Sequence, residues 1–336
     1  MRIFYYLSSY ISHRRAGQAY MACLRRLGHE LTDDPCDCQV AIIHEAPYLY
    51  PAIFQTLPRC PHVRYVGYAV WETPQLPRLY IEGLSLVDAV WTCSEFSRQA
   101  FMPHIATHVL PHVVERPQVS EKDFAFMTSR LGMPGTRRPQ REMYFYTIVD
   151  SVNPRKDMLT LLTAFAVAFP AQKSGVRLVV KQYRHACDVS GFPHVIDVPE
   201  MLDDAQMAAL HALCDVYVSA HHAEAWGLPL SEALAFGNPV IATGYSGNME
   251  FMDHRNSFPV SYSTGPVSAD MCQSLPTLFS PEMTWGIINR ADLVRTLRQV
   301  YRQPPDAAWR ENTRASMARF APEAIALRLQ ELLDML

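Results

Sequence analysis

The chain has 336 residues, 49% hydrophobic, 11% aromatic and 19% charged, which is material for about two domains of roughly 150 residues and excludes a disordered chain. Thirty Lys and Arg against 33 Asp and Glu give a net charge of -3, so no global field draws it to nucleic acid or to an anionic membrane. No apolar run approaches the roughly 20 residues of a membrane span, and residues 1–7 are too short for a signal-peptide core, so a cytoplasmic chain is expected.

Short β-rich runs alternate with helical patterns. Residues 2–7 read as a strand, 8–15 as a polar loop and 16–27 as a helix stopped by Gly28. Further strands are expected at 39–43, 63–69, 88–92 and 108–110, with helices at 76–86 and 95–101. Residues 111–142, rich in Pro, Arg and polar side chains, break the pattern as an inter-domain linker or excursion. A second series follows: strands at 143–149, 176–181, 215–219 and 239–243, helices at 158–169, 203–213 and 229–236. Three helical patterns, 291–302, 306–319 and 322–336, end the chain without strands among them. Strands alternating with helices imply parallel sheets covered on both faces. The expected class is therefore α/β, with two Rossmann-like doubly wound domains facing a cleft. The expected division is 1–115, a linker 116–142, 143–305, and terminal helices 306–336, the last packing back on the first domain.

Eight Cys are scattered along the chain, and Cys36 and Cys38 lack a second pair at zinc-site spacing. All eight are expected to be reduced thiols. Only 14 Gly accompany 25 Pro, a small supply for a nucleotide binder built on Gly-rich loops.

The most informative stretch is HHAEAWGLPLSEALAFGNPVIATGYSGNME, residues 221–250, which begins at the carboxyl edge of a strand, where open parallel sheets bind ligands. Pro229 suits the start of a helix and Gly237 its left-handed stop. The amides of residues 227–230 would face an anion with the helix dipole behind them. Glu224 and Glu232 bracket that position. A carboxylate only accepts hydrogen bonds and vicinal sugar hydroxyls offer paired donors, so a phosphate flanked by two polyhydroxylated rings fits, which describes a nucleotide sugar.

Glu224 and Glu232, with seven residues between them inside EAWGLPLSEALAFGNPVIAT, closely resemble the signature of retaining GT-B glycosyltransferases, in particular glycosyltransferase family 4. The continuation GYSGNMEFM resembles bacterial polysaccharide and lipopolysaccharide mannosyltransferase-like members. The resemblance implies that Glu224 contacts the transferred sugar and Glu232 the ribose hydroxyls. In SVNPRKDMLTLLTAF it implies a cation for the donor diphosphate, with Lys156 the first choice and Arg155 the second. Many members carry Gly-Arg at the end of the preceding strand where this chain has Asp150 and Ser151, so the duty falls to Arg155 or partly to Lys181. Trp226, Gly227, Leu228, Ser151 and Asn248 complete the expected nucleotide-sugar contacts.

Family members commonly carry a Gly-rich loop after the first strand, but here SSYISHRRAGQAY holds only Gly17, with Arg14 and Arg15 available to a phosphate or an anionic acceptor. GYAVWETPQLPRLY resembles the acceptor-side part of the same enzymes. Trp71 and Glu72 would stack on and hydrogen-bond an acceptor sugar, and His44 and Glu45 follow the preceding strand in the same way.

No Asp-x-Asp follows a strand, and helix amides with Lys or Arg can neutralise a diphosphate, so neither a metal nor a cofactor is expected. The implied activity is retaining, metal-independent transfer of a hexose from a GDP- or UDP-linked donor to a glycan or lipid-linked glycan acceptor in cell-surface polysaccharide or lipopolysaccharide biosynthesis. A lipid-linked acceptor would bring peripheral membrane contact, while nucleic acid is not an expected partner. Epimerase, phosphorylase and non-catalytic scaffold readings share the architecture. A dinucleotide oxidoreductase does not fit, because no G-x-G-x-x-G follows either opening strand.

Overall fold

The computed structural model describes residues 1–133, 142–184 and 186–336. The first sheet is built from β1 (Arg2–Leu7), α1 (Ile11–Arg26), β2 (Glu30–Thr32), β3 (Val40–His44), α2 (Tyr50–Thr56), β4 (Arg64–Tyr68), α3 (Arg78–Leu84), β5 (Ala89–Thr92), α4 (Glu95–Phe101) and β6 (Thr107–Val109). Its strands pair in parallel in the order β2-β1-β3-β4-β5-β6. Runs such as VAIIH in β3 are buried throughout, as a strand covered on both faces requires.

Residues 116–142, read as a linker, contain α5 (Glu121–Arg130), whose Ser120 cap accepts from the Asp123 amide. Positions 134–141 of that stretch lie outside the described residues. The second sheet follows: β7 (Met143–Val149), α6 (Met158–Ala168), β8 (Val176–Gln182), β9 (Val195–Val198), α7 (Asp204–Leu213), β10 (Val216–Ser219), α8 (Leu228–Ala235), β11 (Val240–Thr243) and β12 (Phe258–Val260). Its order is β12-β11-β10-β7-β8-β9, again all parallel. The strand order reverses between β7 and β10, and in the first sheet between β1 and β3, which opens a crevice at the carboxyl ends of each pair.

An antiparallel pair, β13 (Tyr262–Pro266) and β14 (Thr284–Ile288), encloses α9 (Ala269–Ser274). The chain ends in α10 (Arg290–Arg302), α11 (Ala307–Ser316) and α12 (Pro322–Asp334). The last lies against α1, where Arg26 Nη1 donates to Glu323 Oε1 at 2.7 Å. One apolar cluster runs from Tyr20 and Tyr68 under the first sheet through Trp226 to Phe320 and Ile325. The two sheets therefore share a core. No described helix is long and apolar enough to cross a membrane.

Helix α1 starts at Ile11, five residues before the expected position. Ser12, His13, Arg14 and Arg15 carry no apolar periodicity because these residues of its first turns are all polar, and its buried residues begin only at Ala16. That shift leaves only residues 8–10 between β1 and the helix. The expectation of eight reduced cysteines fails at one pair: Cys36 and Cys60 are joined as a disulfide, their Cα atoms 5.5 Å apart.

Buried histidines make the fold acid-sensitive. Burial pushes His112 down to about 3 and His221 down to about 4, and holds His44 well below its ordinary value. These rings stay neutral in the folded chain while the unfolded chain takes up protons below about pH 6.5, so stability rises with pH across that window and falls on acidification. Each such histidine contributes a slope of about 1.4 kcal/mol per pH unit while it is protonated only in the unfolded state. Urea unfolding at pH 7 and pH 5 should show a clear loss at pH 5; equal stabilities would contradict neutral burial.

Candidate active site

The connection from β7 to α6 is short and fully specified. Asn153 accepts from the Arg155 amide at 3.0 Å, one 3-10 turn spans Pro154–Lys156, and Asp157, at φ 44°, caps α6 by accepting from the Thr160 amide at 3.3 Å. The turn presents Arg155 and Lys156 side by side. Across the switch point, the segment after β10 places Glu224 between them. Arg155 Nη1 donates to Glu224 Oε2 at 3.0 Å and Lys156 Nζ donates to Oε1. The segments are also tied through the backbone, His222 N donating to Arg155 O at 2.8 Å.

Burial alone would raise the Glu224 carboxyl, but Lys156 and Arg155 outweigh it and hold it well below the carboxylate range. Burial lowers Lys156, an effect that Glu224 only partly offsets. For Arg155 burial opposes the charge, yet Glu72 and Glu224 overcome it and raise the guanidinium further. Glu72 comes from the first sheet, after β4, and lies 3.2 Å from Arg155 Nη2. The cluster therefore spans both sheets.

The backbone around Glu224 is held from both sheets. Its amide donates to Ser246 Oγ at 2.8 Å, and its carbonyl accepts from Gly247 N at 2.8 Å. Ser246 adopts φ 76°, a conformation that L residues rarely take, and Gly247 has no room for a Cβ, which would sit 1.8 Å from Ala225 O. From the first sheet, Ser94 Oγ donates to Ala225 O at 2.7 Å. Sequence reading missed Ser246 and Gly247, since a Gly after a strand signals only a turn and not what packs against it.

Gly227, at φ 93°, precedes α8, and Pro229 sits in its first turn, so the helix begins at the expected place, but the expected row of amides is shorter than residues 227–230: Pro229 has no N–H and the Leu230 amide donates to Gly227 O at 3.0 Å. Leu228 is its first residue. Glu232 lies in α8, 2.8 Å from Arg15 Nη1 of α1 and 3.5 Å from His211 Nε2 of α7. Burial would raise its carboxyl, but His211 and Arg15 bring it below the ordinary value. Arg15 is the cation of the first-sheet helix that enters the site. Its neighbour Arg14 is exposed.

Several expected contacts lie elsewhere. Trp226 is buried against Phe251 and Phe320, its Nε1 donating to Ser231 Oγ at 3.0 Å, so its side chain belongs to the shared core. Lys181 is fully buried, its ammonium donating to Gln182 O and lying 4.2 Å from the Tyr183 ring, which keeps it out of the Glu224 cluster. Ser151 Oγ donates to Gln182 Oε1. Asn248 is used internally, donating to Thr243 O at 3.0 Å with its Oδ1 3.1 Å from His221 Nε2.

On the first-sheet side, Trp71 does not reach a cleft. It is 2% exposed, and its Nε1 donates to Thr73 Oγ1 at 2.8 Å and Gln75 O at 2.7 Å. His44 is equally enclosed, its Nδ1 2.9 Å from the Tyr5 hydroxyl and its ring against Tyr68. Gly17 is where α1 crosses β1 and β3, since a Cβ there would meet Leu7 Cδ1 at 2.4 Å and His44 Nδ1 at 2.9 Å. Glu72 does reach the cluster. Among the described residues no group of three or more His, Cys, Asp or Glu side chains is arranged to hold a metal ion.

Residues 138–260, which include the Arg155, Lys156, Glu224 and Glu232 segments, match the family profile described as glycosyl transferases group 1. No curated protein matches the chain significantly. Among solved structures, HepE of Anabaena in complex with UDP and glucose is similar at 15% identity, with a TM-score of 0.65 over 100% of this chain and 99% of that one. WaaG, a glycosyltransferase involved in lipopolysaccharide biosynthesis, is similar at 14% identity and a TM-score of 0.61 over 97% of this chain and 98% of that one. The sucrose-phosphate synthase of Thermosynechococcus elongatus is similar at 14% identity and a TM-score of 0.64 over 99% and 98%. Residues 138–260 thus carry the match to glycosyl transferases group 1, and the chain as a whole has the two-sheet GT-B fold of these solved structures.

Proposed function

We propose that the chain moves a hexose from a nucleotide sugar to a hydroxyl of a glycan or lipid-linked glycan, with retention of the anomeric configuration. The observation that carries this reading is the Arg155–Glu224–Lys156 cluster at the switch point of the second sheet, beside the amino end of α8. In this reading, residues 143–305 hold the donor and residues 1–115 the acceptor. The donor diphosphate takes the place between Arg155, Lys156 and the α8 amides, where two positive side chains and a helix dipole match its charge without a divalent ion. Glu224, displaced from its cations by the phosphate, accepts from hydroxyls of the transferred sugar, and Glu232 from those of the ribose.

The acceptor hydroxyl forms its bond to the anomeric carbon on the face from which the diphosphate departs. The bond to the diphosphate oxygen breaks, and the hydroxyl proton passes to a leaving phosphate oxygen. Lys156, Arg155 and the amides hold the charge that develops there, so their contribution is greatest in the transition state. Product with inverted configuration would refute the mechanism.

HepE carries UDP, which puts UDP-sugars first and GDP-sugars second in a thermal-shift panel that also includes ADP- and dTDP-sugars. One donor base should raise the midpoint well above the others; no response to any would leave the fold without the proposed activity. The likeness to WaaG favours a lipopolysaccharide or other cell-surface acceptor. Glu232→Ala should weaken binding of the selected nucleoside diphosphate by about 10-fold or more, the scale of a hydrogen bond to a charged group. An unchanged affinity by calorimetry would remove Glu232 from the ribose site.

A further inference from the structure

The first sheet has a switch point of its own, between β1 and β3, and the residues that follow those strands meet there. His13, on the first turn of α1, has its Nδ1 3.8 Å from Glu45 Oε1, directly after β3. That nitrogen is shielded from solvent and has no hydrogen-bond partner. Tyr10, 46% exposed, packs edge-on against the His13 ring with centroids 5.3 Å apart. Glu72, after β4, is one ion pair away from Glu224 through Arg155, and its charge reaches His13 as well.

Two carboxylates, an imidazole with an unused nitrogen and an exposed aromatic ring match the hydroxyls and the C–H face of a sugar. They do not match an anion. Among the described residues, the cations that touch these groups are committed: Arg155 to Glu72 and Glu224, Lys156 to Glu224, and Arg184 to Asp150 at 3.6 Å while it lies over the Tyr10 ring. With a donor diphosphate bound, Arg155 and Lys156 are drawn further from the carboxylates, leaving Glu45 and Glu72 to face the acceptor.

We propose that Tyr10, His13, Glu45 and Glu72 form the acceptor subsite, and that it takes an uncharged hydroxyl-bearing sugar and rejects a phosphorylated or carboxylated one. The inference rests on the transferase reading above and adds the chemical class of its acceptor. It also explains a departure in the first-domain loop. Where a Gly-rich loop would bring backbone close to a ligand, this chain brings side chains.

Saturation-transfer NMR on the full chain, with and without the selected nucleoside diphosphate, tests it with three probes: methyl α-mannopyranoside, mannose 6-phosphate and glucuronic acid. The neutral glycoside should bind at least five-fold more tightly than either charged probe. His13→Asn and Glu45→Gln, close in shape to the originals, should each weaken it at least five-fold while nucleotide affinity and melting temperature stay near the parent values. Equal binding of the charged probes, unchanged neutral binding in both variants, or no binding of any glycoside would overturn the subsite. Loss of neutral-glycoside binding in the variants without any response to nucleotides would overturn the transferase reading and leave the subsite standing.

Discussion

Lys156→Ala should lower kcat by about 10²–10³-fold, the loss that follows removal of one well-placed donor to a developing oxyanion. Lys156 and Arg155 grip opposite oxygens of Glu224, yet their surroundings differ. Lys156 has Glu224 as its ion-pair partner, and burial lowers its pKa. An ammonium held in a desolvated place with one partner gains most when a second anion, the departing diphosphate, arrives. Arg155 also binds Glu72 and donates to Ala223 O at 2.5 Å, so it ties the two sheets together. Arg155→Ala would strand two carboxylates and should cost about 3–5 kcal/mol of folding stability as well as activity. Lys156→Ala should fold nearly normally and fail in turnover. Steady-state rates with the selected donor, read beside urea unfolding, separate the two. A Lys156→Ala enzyme within ten-fold of the parent rate would transfer the role to Arg155.

The second sheet was legible in the sequence because its strands are continuous apolar runs bounded by loops with strong local rules. Residues 143–149 were placed as the structure has them, and the start at Gly227 and Pro229 followed from turn chemistry. Short edge elements were not legible. β2, β9 and β12 have three or four residues each, too few to establish a period, and the β13–β14 pair contains Gly265 and Gly286 where strand-forming side chains would be expected. In the site, local sequence pointed to Glu224 and Glu232 and the family resemblance to Arg155 and Lys156; the four lie on two loops and one helix, and the structure brings Arg155, Lys156 and Glu224 together. It could not supply the partners from the other sheet. Arg15 against Glu232 and Glu72 against Arg155 are long-range pairs. The polar start of α1 hid the fact that His13 faces Glu45 with an Nδ1 that has no hydrogen-bond partner, whereas the His44 Nδ1 lies 2.9 Å from the Tyr5 hydroxyl. Residue type misled at Trp71 and Trp226, where indole nitrogens found partners within the core.

Gly247→Ala should damage stability and turnover together, because the added Cβ would strike backbone rather than a movable side chain. It would lie 1.8 Å from Ala225 O, 2.3 Å from Ala225 C and 2.8 Å from Glu224 O. Relief requires moving the segment that carries Glu224, which is held on one side by Ser94 and on the other by Ser246. Overpacking an interior side chain costs about 1–3 kcal/mol, and a backbone collision with both neighbours anchored belongs at or above the top of that range. Displacing Glu224 by even about 1 Å from Arg155 and Lys156 also misplaces the carboxylate assigned to the transferred sugar, a change worth about 10²-fold in rate. Gly191→Ala provides the contrast, since a Cβ there meets nothing within 4 Å, and it should fall within about 0.5 kcal/mol of the parent. If Gly247→Ala melts and turns over like Gly191→Ala, the loop after β11 does not fix Glu224, and the carboxylate is held by its two cations alone.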